Sequence, residues 1–176
     1  MAGSSTIAVI ANREGQDTPA LLSKLASQWR DAGISVVGLL DEGNDGEGIC
    51  SAGFLRDIAS GIAYSIHLDA PLAGSSCHLD PAGVEDASAA LLDQIASADL
   101  IVLSKFGKLE AMRKGLWPAF LAALAAGKPL LTTVSQKHIT ALKAIAPNAL
   151  WLEADRPAVE HWWHKTSSGG TPASTD

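Results

Sequence analysis

The feature that most constrains this chain is a repeated change of period, from short buried-strand runs to stretches of helical spacing and back. "TIAVIA" (6–11) is a continuous apolar run rich in β-branched side chains, the mark of a strand covered on both faces. From Thr18 the period changes: Leu21, Leu22, Leu25, Ala26 and Trp29 share one helical face, and Gly33 stands where a C-cap glycine ends a helix. "ISVVGLL" (34–40) is a second buried strand. Strand, helix and strand in that order make a βαβ unit, which closes parallel and right-handed.

The middle of the chain breaks this rhythm. "DEGNDGEG" (41–48) is an acidic, glycine-rich loop, and residues 53–69 read as two short strands around a Ser60-Gly61 turn. They predict an antiparallel hairpin, inserted into the parallel sheet or laid on its edge. Residues 70–81 form a loop, and Asp80-Pro81 opens the next helix as N-cap and first residue, with Val84, Ala87, Ala90, Leu91 and Ile95 inward. The α/β alternation then returns. It predicts a strand over 98–107, a helix over 112–126 broken near Trp117-Pro118, a strand over 128–134, a helix over 136–146, a short strand over 149–153 and a helix over 157–165. The tail "TSSGGTPASTD" (166–176) buries too little to offset its ordering entropy and is expected to be disordered. The fold class is α/β: one domain over residues 1–165, in three layers, with a mostly parallel sheet and an inserted β-hairpin.

Composition closes off several functions. A formal net charge of −6 argues against non-specific binding to nucleic acid or to anionic membranes. No apolar run approaches the ~20 residues of a membrane span, and the N-terminus has neither the basic region nor the apolar length of a signal peptide. Cys50 and Cys77 lack C-x-x-C spacing and suggest a reduced compartment rather than a disulfide framework. The expectation is a cytoplasmic protein with no nucleic-acid partner and no membrane span.

The chemistry centres on "IANREGQDTPALL" (10–22), which runs from strand through a polar loop into a helix. That is the layout of a phosphate-binding loop, G-x-x-x-x-G-K-[ST], whose backbone N–H groups wrap phosphate while the lysine neutralises charge and the hydroxyl binds magnesium. Aligned on Gly15, Ile10 replaces the first glycine, Gln16 the lysine and Asp17 the Ser/Thr, with Thr18 one place late. The backbone cradle can survive, but Asp17 adds negative charge where an anion would sit. Equally, a generic strand-turn-helix with Asp17 or Thr18 as N-cap needs no ligand. In a triphosphatase, a carboxylate at the end of a later strand orients magnesium. Here that place reads "LIVLSKFGKLEA" (100–111), with Ser104 and Lys105 instead. The loop has lost a lysine and the strand end has gained one. Arg13, Lys105 and Lys108, at the carboxyl edge where α/β proteins bind ligands, suit an anion held without magnesium; the plainer alternative is that both lysines are solvated surface.

Together, "IANREGQDTPALL", "VVGLLDE", "LRDIASGIAYSIHLD", "SSCHLDP" and "ADLIVLSKFGKLEA" resemble a bacterial domain-of-unknown-function family often encoded beside molybdate-transport genes. That family in turn looks like a diverged relative of the small P-loop nucleoside-triphosphatases, whose "DEIGKME" is similar to "SKFGKLE" here. The resemblance covers residues 6–153 and is most specific in the K-F-G-K-x-E segment and around Cys77. It implies a degenerate P-loop NTPase-like fold and a molybdenum or tungsten connection. It does not carry hydrolysis over, because both catalytic motifs depart from the triphosphatase pattern.

Two further segments carry reactive side chains. In "GSSCHLD" (74–80), Ser75 and Ser76 offer hydrogen bonds to an oxyanion, while Cys77 and His78 are candidate ligands of a soft metal. Two adjacent ligands fall short of a four-ligand site, and a thiol packed as a small hydrophobe explains Cys77 as well. A nucleophile triad of Cys77, His67 and Asp69 lacks an elbow motif. "EHWWHK" (160–165) sets His161 and His164 one helical turn apart, suiting either a metal or a helix that docks Trp162 and Trp163 on the core.

The function that these residues favour is a non-hydrolysing, P-loop-like protein that binds a small oxyanion, with molybdate or tungstate preferred through the resemblance. Molybdenum homeostasis or storage is the implied role, and a homo-oligomer is compatible with it. The expected anion contacts are Asn12, Arg13, Glu14, Gly15, Gln16, Thr18, Ser75, Ser76, Lys105 and Lys108, with no catalytic residue and no magnesium. The rivals are a nucleotide-binding enzyme with rearranged catalytic residues and an interaction scaffold.

Overall fold

Local signals set the first βαβ unit in the computed structural model, which describes residues 5–42, 53–66 and 79–169. Strand β1 (Ile7–Ala11) gives way to a loop, and helix α1 (Thr18–Asp31) starts where the Asp17 carboxylate accepts the Ala20 N–H at 3.1 Å. The helix stops at Gly33, which takes a left-handed φ of 88° while the Ile34 N–H reaches back to the Trp29 carbonyl. Strand β2 (Val36–Glu42) follows. Gly38 in this strand is dictated by tertiary contact, since a Cβ there would lie 1.8 Å from the Val102 carbonyl oxygen.

The remaining elements are β3 (Phe54–Asp57), β4 (Ala63–Ser65), α2 (Pro81–Ile95), β5 (Leu100–Phe106), α3 (Lys108–Ala111), α4 (Trp117–Ala126), β6 (Leu130–Val134), a 3₁₀ turn (Gln136–His138), α5 (Ile139–Ile145), β7 (Leu150–Leu152) and α6 (Arg156–Ser168). Among the described residues the sheet has seven strands in the order β4-β3-β2-β5-β6-β1-β7. β2, β5, β6, β1 and β7 run parallel, and the β3–β4 hairpin adds antiparallel pairing at one edge. The hairpin therefore lies on the edge, the second of the two placements expected. Its turn is held by the Asp57 carboxylate, which accepts the Ala59 and Ser60 N–H groups at 2.9 Å each.

Alternate side chains of each strand enter opposite cores, which makes three layers. Val9, Leu39 and Ile101 face α2, α4 and α5, whereas Ala8, Ile10 and Val102 face α1 and α6. Trp162 and Trp163 are buried in the second core, where Trp163 packs 5.8 Å from Trp29 and the Trp162 indole donates to the Ser5 carbonyl at 2.9 Å. No helix among the described residues is long and apolar enough to cross a membrane.

Five details differ from the sequence reading. Strand β2 runs to Glu42, so Asp41 and Glu42 pair with the hairpin instead of opening the loop expected over 41–48. Residues 112–116 are a turn rather than helix, because Arg113 and Gly115 both take left-handed φ, and only 117–126 continue as α4. Ala90 is exposed and Ser88 buried, since the inward face of α2 follows 84, 87, 88, 91 and 95. The helix expected over 136–146 begins as a 3₁₀ turn. Helix α6 runs to Ser168, so Thr166, Ser167 and Ser168 are helical rather than part of a tail. Cys50, His67, Asp69, Ser75, Ser76, Cys77 and His78 lie outside the described residues.

Candidate anion site at the carboxyl edge of the sheet

β1 and β5 both end at the carboxyl edge, with β6 between them. Strand spacing puts their ends about 10 Å apart. The loop after β1 is a solvent-facing turn: Arg13, Glu14, Gly15, Gln16 and Asp17 are exposed, and Gly15 has φ 78°. It is anchored from its neighbour, because the Asn12 N–H donates to the Val134 carbonyl at 2.9 Å and the Gln136 amide donates to the Asn12 carbonyl at 2.7 Å. Two polar atoms in it, Asn12 Oδ1 and Thr18 Oγ1, are buried with no hydrogen-bond partner among the described residues. Such atoms are the places where a ligand or water makes up the missing bond.

The end of β5 is built differently. Ser104, Phe106 and Gly107 are buried, whereas Lys105 and Lys108 project into solvent. The pairing of β5 with β6 is irregular between Leu103 and Phe106, where the Ser104–Lys105 peptide is cis. Glu110 is buried and ties the segment together: its carboxylate accepts the Gly107 N–H at 2.9 Å and the Leu116 N–H at 3.0 Å. Burial pushes this carboxyl above its ordinary value, against the opposing pull of those bonds and of Lys105. The 3₁₀ turn docks beside it, with the Ser135 N–H donating to the Phe106 carbonyl at 3.3 Å and Ser135 Oγ 2.6 Å from His138 Nδ1. His138 is held below its ordinary value, first by desolvation and then by the charges of Lys137, Lys105 and Lys108.

Two hollows flank this arrangement. One, of about 100 Å³, lies between the ends of β1 and β7 and is lined by Arg13, Gln16, Trp151 and Glu153. The other, of about 90 Å³, lies between the ends of β2 and β5 and is lined by Asp41, Ser104, Lys105, Lys108 and Glu110, with apolar walls. Arg13 is drawn toward the first hollow, 3.4 Å from Glu153 in an exposed ion pair, while Lys105 and Lys108 face the second. The structure therefore brings the two lysines together and turns Arg13 from them. Where the sequence reading expects the carboxylates of a triphosphatase stand Ser104 and Lys105, and Asp41 and Glu110 line the same hollow. Among the described residues no three His, Cys, Asp or Glu side chains cluster for a metal, so His161 and His164, exposed on α6, have no third ligand there.

This geometry sits in a chain with identifiable relatives. The model of a family described as protein of unknown function, DUF2478, matches residues 7–162. The chain belongs to that family. The DUF2478 match spans β1, its loop, the end of β5 and the 3₁₀ turn. A molybdenum import ATP-binding protein, ModC 2, of Bradyrhizobium diazoefficiens is 36% identical over 166 residues, covering 92% of this chain but 18% of that protein. The chain thus spans under a fifth of that relative's length. The solution structure of a human cancer-related nucleoside triphosphatase matches with a TM-score of 0.61 at 15% identity, covering 96% of this chain and 99% of that one. The crystal structure of THEP1 from the hyperthermophile Aquifex aeolicus matches with a TM-score of 0.59 at 13% identity, covering 90% and 95% respectively. At these identities the likeness is one of fold: this DUF2478 chain has a P-loop NTPase-like α/β architecture.

Sequence reasoning missed Asp41, Glu110, Gln136, Lys137 and His138. Glu110 alone carried a local signal, standing three residues after the glycine that starts α3, at the position from which a glutamate reaches back to the helix start.

Proposed function

We propose that this protein binds a small tetrahedral oxyanion at the carboxyl edge of its sheet and does not hydrolyse nucleotide. The observation that carries the reading is that Lys105 and Lys108 line one cleft at the end of β5, with Lys105 standing where a triphosphatase needs a carboxylate. The further contacts this reading expects are Asn12, Glu14, Gly15, Gln16 and Thr18 of the segment after β1, across β6 from that cleft, and Ser75 and Ser76, which lie outside the described residues. Molybdate or tungstate is the favoured ligand, supported by the name of the Bradyrhizobium relative. The implied setting is a cytoplasmic role in molybdenum homeostasis or storage, as single copies or a homo-oligomer.

Hydrolysis depends on electrostatic stabilisation of a transferring phosphoryl group, and Gln16 supplies no charge for it. Titration calorimetry with sodium molybdate, sodium tungstate and inorganic phosphate is expected to give binding, and steady-state assays with magnesium and ATP or GTP no useful turnover. Turnover above roughly 0.1 per second, well inside the range of working enzymes, with loss of activity in Gln16→Ala, would overturn the non-hydrolysing reading. A second reading, nucleotide binding, is favoured by the unpartnered Asn12 Oδ1 and Thr18 Oγ1 in the loop. Under it, Gln16→Lys with Asp17→Thr strengthens nucleotide binding at the expense of molybdate.

A further inference from the structure

We propose that Asp41 sets the selectivity of this anion site: its ionised carboxylate favours an oxyanion that carries a proton, and its protonated form favours one that carries none. The inference rests on the oxyanion reading above and adds the residue that discriminates between ligands. Asp41 stands near the carboxyl end of β2, paired with Leu55 of the hairpin, and lines the same cleft as Ser104, Lys105 and Lys108. Its Oδ1 is buried with no hydrogen-bond partner among the described residues. The other carboxylate in the cleft, Glu110, is already committed to two backbone N–H groups. An oxygen left unpaired beside two lysines is the atom that a bound anion must satisfy or confront.

The chemistry of the ligand then decides. Hydrogenphosphate has an O–H to donate to a carboxylate, whereas molybdate and tungstate in neutral solution offer acceptors only. Against an ionised Asp41, bound molybdate sets acceptor against acceptor and charge against like charge. Once Asp41 is protonated, its own O–H donates to molybdate. Burial raises the proton affinity of this carboxyl, while Lys105 opposes the rise. Among the described residues, the charged groups sharing the cleft with Asp41 are Lys105 from β5 with Lys108 and Glu110 from α3. The hairpin and α2 present, among the described residues, only apolar side chains there, and Glu42, the next residue, is engaged by Arg56. Molybdate binding should therefore carry a proton onto Asp41, and phosphate binding should not need to.

Calorimetry of the full chain tests this, using sodium molybdate and inorganic phosphate in buffers of different ionisation enthalpy at several pH values. Wild type is expected to take up a proton with molybdate, and its preference for molybdate over phosphate should fall as pH rises. In Asp41→Asn the uptake should vanish, and the preference should shift toward molybdate at high pH by about tenfold, the scale of one charge-assisted hydrogen bond. Binding of both anions with the same ratio, pH dependence and proton count in wild type and variant would overturn the assignment of Asp41 and leave the oxyanion reading intact. If wild type binds neither anion, the oxyanion reading fails and this inference fails with it. Should Asp41→Asn not fold, the wild-type measurement alone decides, because molybdate bound without proton uptake overturns the proposal.

Discussion

The loop after β1 and the segment after β5 occupy equivalent places at one edge of the sheet, yet they are constructed on opposite plans. Residues 13–17 are exposed, and the loop closes on a long Gln16–Arg13 backbone bond of 3.3 Å with side chains that mostly point to solvent. Residues 104–110 form a buried frame, fastened by Glu110 and by the edge-to-face packing of Phe106 on Phe120 at 5.5 Å, from which only Lys105 and Lys108 emerge among polar side chains. In the phosphate-loop pattern the charge that grips phosphate belongs to the first loop. Here the first loop carries Arg13, paired with Glu153, and two lysines stand on the second, buried segment. A charge on a fixed frame can be aimed, whereas one on an exposed side chain must lose rotamer freedom to bind.

The contrast is most easily broken at Glu110. Glu110→Ala leaves two buried N–H groups without acceptors and should lower stability by about 3 kcal/mol, read by denaturant unfolding, while Gln16→Ala should leave stability unchanged. Equal, small losses would mean that the β5 segment is no better fastened than the loop. The same carboxyl gives a pH signature. Its folded-state value is raised by burial above 4.5, so folding binds a proton that the unfolded chain releases first. That contribution is complete below 4.5 and disappears as pH rises through the folded value. Glu110→Gln should flatten this slope.

Next in size, Lys105→Ala should weaken molybdate and phosphate binding about tenfold, as expected for one charge-assisted contact, with the melting temperature little changed because the ammonium is exposed. Unchanged affinity in calorimetry would remove the β5 segment from the site. The imidazole of His138 gives a gentler reading. It is held low partly by Lys105, Lys108 and Lys137, so a bound anion that neutralises them should raise its titration midpoint in an NMR experiment. A midpoint that stays put in saturating molybdate would place the anion elsewhere. The smallest effect is expected at Arg13. Its exposed pair with Glu153 is worth little, and Arg13→Ala should change anion affinity less than about twofold. A loss at Arg13 larger than that at Lys105 would invert the comparison and return the site to the loop.

Much of this protein could be read without coordinates. The apolar runs of β1 and β2, the Asp17 and Asp80 caps, the Gly33 stop and the lysines after β5 are local features, each decided by neighbours a few residues away. The break at 112–116 was less visible, because Met112, Arg113 and Lys114 have ordinary helix propensity and the turn exists to bring the Leu116 N–H to Glu110.

What the sequence determined by itself was the α/β class, the parallel first unit and the presence of lysines at the end of β5. Only the tertiary structure decided which residues meet. β6 separates the loop from β5, the β2–β5 pairing brings Asp41 beside Ser104 and Lys105, and the 3₁₀ turn carries His138 to the lysines. These neighbours are set by strand order and by close contacts such as Gly38 against Val102. Pairings between residues tens of positions apart depend on packing the whole sheet, and no local period encodes them.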